Sequence, residues 1–356
     1  MAFLKLKRES LQHNYQFISD ILDKEGIEWG VVSKLLCGTK NYIQELIDLG
    51  VTEIHDSRVS NLKTVKLLAP EVQTVYIKPP AKKAIKSIIK YADVSFNTEL
   101  STIRLLSEEA GKQGKLHKII IMIEMGDLRE GVLGEQLLDF YGKIFQLPNI
   151  TVVGIGTNLN CLNGVMPSQD KLIQLSLYKQ LIEAKFSREI KWVSGGTSVV
   201  FPLLLMHQLP KGVNHFRIGE LLYFGNNLFS NTPVEGMKDD VFTLHAQIIE
   251  LIEKPKVPVG ELQTNPSGEQ FEINEEDYGK TSYRAILDFG LLDITTDYLI
   301  PMDEDITITG ASSDMIVIDL GEKNRNLKVG DWIRFNLKYM GALGLLNSHY
   351  IEKIVE

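Results

Sequence analysis

At 356 residues, with 44% hydrophobic and 24% charged residues, the chain has the balance of a soluble enzyme and room for two domains of about 150 residues each. Its net charge of −8, with acidic and basic residues interspersed, excludes nucleic acid as the main partner, because phosphate-backbone binding needs a concentrated basic surface. No apolar run is long enough for a membrane span, the first residues MAFLKLKRES lack a signal-peptide core, and the two cysteines, Cys37 and Cys161, fall in no metal-type spacing. A reduced, cytoplasmic setting with no metal is the expectation.

Residues 3–7 alternate and read as a short strand. Ser10 is placed to cap a helix over 11–24. Strand-like runs then follow at 29–33, 53–56, 74–77, 93–96, 118–124, 151–157, 191–193 and 215–218. Amphipathic helical patterns separate them at 41–49, 57–68, 82–91, 100–113, 136–147, 168–185 and 199–208. Eight strands with intervening helices predict an α/β fold, a (β/α)8 TIM-type barrel. A doubly wound sheet is disfavoured because no G-x-G-x-x-G follows the first strand. From residue 237 the pattern turns all-β, with strands expected at 241–252, 284–289, 306–309, 315–320 and 332–338. A Pro-, Gly- and Glu-rich loop is expected at 254–280. The predicted division is a barrel over 1–236 and a β domain over 237–356, with the amino-terminal strand free to join the β domain.

Barrel chemistry gathers at the carboxyl ends of the strands. Those ends carry Lys34, then Asp56 to Arg58, Lys78 and Asn97 in turn. They continue with Glu124 to Gly131, Asn158 and Asn160, Ser194 to Ser198, and Arg217 to Glu220. The turn Ser194-Gly195-Gly196-Thr197-Ser198 offers backbone N–H groups and hydroxyls after the seventh strand. Gly219 ends the eighth. Barrels commonly build a phosphate site there. A lysine across the mouth from a phosphate site points to pyridoxal 5'-phosphate, with the lysine amine holding the cofactor.

Several stretches resemble the fold-type III, alanine-racemase-like enzymes that use this cofactor, and within them the ornithine racemase group. They are SKLLCG at 33–38, HDSR at 55–58, MGDLREGVLG at 125–134, VSGGTS at 193–198, FRIGE at 216–220 and TGASSDMIVID at 309–319. The resemblance covers nearly the whole chain. It implies a barrel followed by an all-β domain, and a homodimer in which each active site takes residues from both chains.

By that resemblance Lys34 matches the cofactor-bearing lysine and one of two catalytic bases. Arg129 matches an arginine beside the cofactor's phenolic oxygen and the substrate carboxylate. Arg217 matches the arginine at the pyridine nitrogen. Asn158 stands where alanine racemases place a histidine against the ring. Ser194, Thr197, Ser198, Gly219, Glu220 (through its backbone N–H) and Tyr350 fall at cofactor-binding positions, the phosphate above all. Ser313 and Asp314 match a loop that meets the substrate carboxylate from the partner chain. A guanidinium keeps its proton, so an arginine at the ring nitrogen leaves that nitrogen unprotonated. Electrons then delocalise less into the ring, and reprotonation at Cα wins over transamination.

Racemisation needs a base on each face of Cα. Tyr278-Gly279-Lys280-Thr281 copies the Tyr-Gly-x-Thr context of the second base, which makes Tyr278 the candidate, with Tyr283 or a barrel residue as alternatives. Asp56 and Arg58 are expected to form an ion pair supporting Lys34. Asp127 and Glu130 either orient Arg129 or meet a substrate ammonium group. Cys37 and Cys161 are expected to be small buried hydrophobes. The expected activity is racemisation of a basic amino acid such as ornithine or lysine, with alanine or serine as alternatives. A decarboxylase of the same fold type is disfavoured, since it carries an acidic ring-nitrogen partner and a cysteine-containing carboxyl-terminal motif. A non-catalytic cofactor-binding barrel is disfavoured by the β domain.

Overall fold

Short apolar strands buried on both faces alternate with amphipathic helices through the first two thirds of the chain, and they close on themselves. The computed structural model describes residues 2–230, 232–264, 268, 270–323 and 326–356. Its contacts divide the chain into two units, one of Glu9–Asp239 and one of Met1–Arg8 with Asp240–Glu356.

In the first unit the parallel sheet runs β2 (Glu28–Val32), β3 (Glu53–Asp56), β4 (Gln73–Tyr76), β5 (Val94–Asn97), β6 (His117–Met122), β7 (Ile150–Gly156) and β8 (Trp192–Ser194). On the other side of β2 come β10 (His215–Ile218) and the two-residue β9 (Gly196–Thr197). Since β8 and β9 are separated only by Gly195, they close the ring between them. At this seam the Asn214 amide takes over from a regular ladder. Its Oδ1 accepts from the Val193 N–H at 2.7 Å and its Nδ2 donates to the Lys191 carbonyl at 2.9 Å. The expected eight-strand barrel is the fold observed.

The helices α1 (Arg8–Lys24), α2 (Lys40–Asp48), α3 (Val59–Leu68), α4 (Ile85–Tyr91), α5 (Leu100–Lys112), α6 (Leu137–Ile144) and α7 (Gln169–Phe186) lie between the strands. In α1 the buried Leu11, Ile18 and Leu22 mark the inward face. Asn14, also buried there, is fully used. Its amide donates to the Leu222 and Lys238 carbonyls and accepts from the Lys238 N–H. The helix expected at 199–208 is shorter, α8 (Phe201–Leu205), because the chain turns left-handed at His207 (φ 56°). A further short helix, α9 (Glu220–Phe224), follows β10, and a small hairpin pairs β11 (Asn226–Asn227) with β12 (Thr232–Pro233). Among the described residues no helix is long and apolar enough to cross a membrane.

The second unit is an eight-stranded sheet around β13 (Phe242–Pro255). Inward residues of β13 alternate, with Phe242, Leu244, Ala246 and Ile248 buried. The period breaks at a bulge between Ile248 and Glu250. β14 (Thr281–Leu287), β15 (Leu299–Pro301), β16 (Thr307–Ala311), β17 (Ile316–Asp319) and β18 (Trp332–Leu337) complete the main run. The amino-terminal β1 (Phe3–Leu6) pairs antiparallel with β13 and parallel with the final β19 (Glu352–Val355). α10 (Tyr339–Asn347), β15 and β19 have no counterpart among the expected elements. The loop expected at 254–280 includes Asn265, Pro266, Ser267 and Glu269, which lie outside the described residues.

Candidate active site

The mouth of the barrel is built by turns whose shape is set by packing. Ser33 ends β2, with its N–H on the His55 carbonyl at 2.8 Å. Leu35 and Leu36 are then buried in a single 3-10 turn, which leaves Lys34 as the exposed side chain between them and the strand. Asp56 secures this turn from below. Its carboxylate accepts from Ser33 Oγ at 2.9 Å, the Arg58 N–H at 2.8 Å and Asn61 Nδ2 at 3.2 Å. Burial raises the Asp56 carboxyl above its usual value, more than these donors lower it. The support therefore comes through Ser33 and Asn61, and Arg58 contributes its backbone N–H in place of the expected ion pair.

On the same side of the ring as Lys34, one strand beyond β10, the turn 194–198 needs its glycines for packing. A Cβ on Gly196 would stand 2.0 Å from the Phe216 ring, and one on Gly195 would meet Leu172 and Leu175 at 3.2 Å. With side chains absent there, Thr197 and Ser198 come close to the end of β10. Ser198 Oγ accepts from the Gly219 N–H at 3.2 Å and the Leu221 N–H at 3.3 Å. Thr197 Oγ1 is buried with no hydrogen-bond partner among the described residues. An unpaired buried hydroxyl beside N–H groups already aimed at an oxygen suits a phosphate group. Burial raises the Glu220 carboxyl, and the Lys34 charge opposes that rise, so the lysine and this turn share one electrostatic neighbourhood.

Arg217 lies inside the barrel. It donates to the Ser194 carbonyl at 2.5 Å, Ser194 Oγ at 2.6 Å and the Thr157 carbonyl at 2.7 Å, and its guanidinium stands over the Phe96 ring. Among the described residues, all of its hydrogen-bond acceptors are neutral. Burial lowers it to about 10, which leaves it protonated at neutral pH. The Ser194 hydroxyl is taken up by Arg217 and His215 and is fully buried. The Ser194 hydroxyl is thus engaged in the arginine's surroundings.

The third wall is the turn after β6. Arg129 forms a two-point ion pair with Glu130. The Asn158 amide faces the Arg129 guanidinium with its carbonyl oxygen as acceptor. Asp127 is buried beneath. Its Oδ2 accepts from the Cys161 and Leu162 N–H groups at 3.1 and 2.9 Å, and its Oδ1 from Asn163 and Val165 at 3.1 and 3.2 Å. Burial raises its carboxyl, but the four backbone donors outweigh that and hold it below the usual value. Asp127 is thus a lock on the 158–165 loop, and Glu130 is the residue that orients Arg129. Cys161 is exposed in this loop and Cys37 is half-buried, which corrects the expectation of two buried cysteines. The Asp127 lock draws the backbone at Cys161 inward, so its thiol projects toward the Asn158 amide.

The barrel thus brings together Lys34, Arg129, Asn158, Thr197, Ser198, Arg217, Gly219 and Glu220. The second unit carries the rest. Tyr278 and Tyr350 are 61% and 77% exposed. Ser313 and Asp314 occupy an exposed turn packed on Gly290, where a Cβ would meet the Asp314 and Met315 nitrogens at 2.5 Å. Two residues escaped sequence reasoning, Glu53 and His215, both buried in the barrel interior. Their signal was present in the strands: polar residues two apart, Glu53 with His55 and His215 with Arg217, share one face.

The model of the alanine racemase N-terminal domain matches residues 6–227. Ornithine racemase of Acetoanaerobium sticklandii is 36% identical over 344 residues, 96% of each chain. The chain belongs to the alanine racemase family. Lysine racemase of Thermotoga maritima is 29% identical, over 99% of this chain and 98% of that protein. Alanine racemase of Bartonella henselae, solved with covalently bound pyridoxal phosphate, superposes with a TM-score of 0.75 at 17% identity, covering 100% of this chain and 99% of that one. The expected fold, enzyme class and cofactor are those of the family: a barrel with a β unit, a racemase, and pyridoxal phosphate.

Proposed function

We propose that the chain is a pyridoxal phosphate-dependent racemase of a basic amino acid, ornithine or lysine, acting in the cytoplasm as a homodimer with shared active sites. The observation that carries this reading is Arg217, a buried cation whose contacts are all neutral acceptors. When bound, the cofactor supplies an electron sink for the Cα–H bond of the amino acid. An arginine at its ring nitrogen keeps that sink weak and favours return of the proton to Cα. The substrate class rests on the two curated relatives, an ornithine and a lysine racemase.

In this reading Lys34 Nζ holds the cofactor, then takes and returns the proton on one face of Cα. The Tyr278 oxygen, from the β unit of a second copy, serves the other face. The Thr197 and Ser198 hydroxyls with the Gly219 and Glu220 N–H groups hold the phosphate, joined by Tyr350. Asn158 lies against the ring. Arg129, steadied by Glu130, meets the substrate carboxylate together with Ser313 and Asp314 of the second copy.

The test is chiral chromatography of L-ornithine, L-lysine, L-alanine and L-serine after incubation with the cofactor-loaded protein. D-ornithine or D-lysine is the expected product, and D-alanine or D-serine alone would overturn the substrate class. Lys34→Ala should lose both visible cofactor absorbance and racemisation; a variant that keeps them would remove Lys34 from its role.

A further inference from the structure

A string of polar groups runs through the barrel interior below Arg217. Glu53 opens β3, and its buried carboxylate has three side-chain donors. His55 Nε2 and His215 Nε2 lie 2.5 and 2.8 Å from Oε1, and Gln73 Nε2 bonds Oε2. His215 Nδ1 lies 2.6 Å from Ser194 Oγ, the hydroxyl that also receives Arg217 Nη1 at 2.6 Å. Trp192 stacks on His215 with ring centroids 4.6 Å apart, which fixes the imidazole plane. A Cβ on Gly30 would stand 2.5 Å from the His55 ring, so β2 leaves this space to the Glu53–His55 pair.

Counting hydrogens gives the string one direction. A guanidinium only donates, so Ser194 Oγ accepts from Arg217. A carboxylate only accepts, so His215 Nε2 carries its hydrogen toward Glu53. Ser194 Oγ, already receiving Arg217, has His215 Nδ1 as its acceptor among the described residues, so its O–H points there and Nδ1 carries no hydrogen. His55 likewise gives Nε2–H to Glu53, and its Nδ1, buried without a partner among the described residues, is a bare acceptor. Burial lowers His55 and keeps it neutral. Burial alone would raise the Glu53 carboxyl, but the imidazoles overcome it and hold it ionised. A single anion thus faces a single cation through two neutral groups. The Glu53, His55 and His215 ligand atoms lie within 4.8 Å of one another, a closeness their own hydrogen bonds explain.

We propose that Glu53, His215 and Ser194 form a buried relay that positions Arg217 and balances its charge, leaving the guanidinium free to donate to the cofactor's ring nitrogen. The inference rests on the racemase reading above. Glu53 and His215 are positioning residues in it, since they act through Ser194 and Arg217. A carboxylate in direct contact would hold the guanidinium in an ion pair and compete with the ring. Placed at one end of a hydrogen-bonded chain, the same carboxylate neutralises the buried cation without tying up its donors.

The test compares binding of pyridoxal phosphate and 1-deazapyridoxal phosphate, which has C–H in place of the ring nitrogen, to the apoprotein by fluorescence quenching. Wild type should prefer pyridoxal phosphate by roughly 10- to 100-fold, the value of one charge-assisted hydrogen bond. Glu53→Gln puts an N–H where an acceptor stood and reverses the string. Ser194→Ala cuts it. In both variants the preference should fall to about threefold or less, as expected when that bond is lost. A merely structural role weakens both ligands alike and leaves the ratio unchanged. A wild-type ratio above tenfold that both variants retain would overturn the relay while the racemase reading stands. A wild-type ratio near one would overturn the relay by removing the Arg217 contact it serves. Wild type that binds no pyridoxal phosphate would defeat the racemase reading and the relay with it. Circular dichroism checks each variant's fold, and if Glu53→Gln fails to fold, Ser194→Ala decides alone.

Discussion

Replacing Asp127 with asparagine should release the 158–165 loop without unfolding the barrel. Each carboxylate oxygen of Asp127 takes two backbone N–H groups, Cys161 and Leu162 on one and Asn163 and Val165 on the other. An amide keeps one oxygen and turns an NH2 group toward the other pair. Two donors are left facing a donor, at about 1–3 kcal/mol each, so the loop loses roughly 2–6 kcal/mol. Cys161, Leu162 and Asn163 are exposed, and their freed N–H groups can turn to water by local opening. The loss should therefore appear in the loop and spare the strands. Hydrogen exchange at amides 161, 162, 163 and 165 should accelerate by about 30-fold or more at neutral pH, the lower end of that range, while β6 and β7 change little. The folded Asp127 carboxyl lies below its usual value. Its contribution is complete above the unfolded value of about 3.9 and is lost as pH falls through the lower folded value. Wild type and variant should converge in stability as acid protonates the carboxyl. Unchanged exchange at these four amides would refute the lock. Asn158 stands at the head of this loop against Arg129, so the same variant should raise the KM for the amino acid more than it lowers kcat.

Gly196→Ala should cost about 3 kcal/mol or more, the upper range for overpacking, because the added Cβ falls within 2.3 Å of three Phe216 ring carbons. A thermal melt reads the loss, and Phe216→Leu in the same chain should recover part of it; a neutral Gly196→Ala would show that the glycine serves another purpose. Tyr278→Phe should slow proton removal from one enantiomer selectively, measured by solvent-deuterium uptake from each substrate, and equal slowing or none would remove Tyr278 from the mechanism.

The barrel was legible because its physics is local. A strand buried on both faces is apolar throughout, a helix packed on it is amphipathic, and eight repeats of that alternation have few other solutions. The strand ends located Lys34, Arg217 and the Thr197–Ser198 turn for the same reason. Interior pairing was harder to see. Glu53 and His215 are 162 residues apart, and nothing in either strand says that barrel closure brings a carboxylate to an imidazole. Asp127 looked like a partner for Arg129 because the two are neighbours in sequence. Its real partners lie 34 to 38 residues on, and a loop that wraps a carboxylate with backbone N–H groups leaves no side-chain pattern to read. The β unit was read less completely because β15 and β19 have only three and four residues, too few to show a period.

Arg217 also bears on why this barrel should racemise and not decarboxylate. Burial brings it to about 10, still well above neutral pH, so its charge is constant across the range in which an amino-acid enzyme works. A carboxylate in that position would bond a protonated ring nitrogen and strengthen the electron sink, which suits bond cleavages that need deep stabilisation of the carbanion. A permanent donor does the reverse, since it can only meet an unprotonated nitrogen. In the proposed relay, the anion that a buried guanidinium requires is supplied through two intervening residues, Ser194 and His215, at Glu53. If the proposed relay and the Arg217 contact to the ring nitrogen both hold, charge balance inside the barrel and a weak sink at its mouth come from one arrangement of the residues that pack beneath FRIGE.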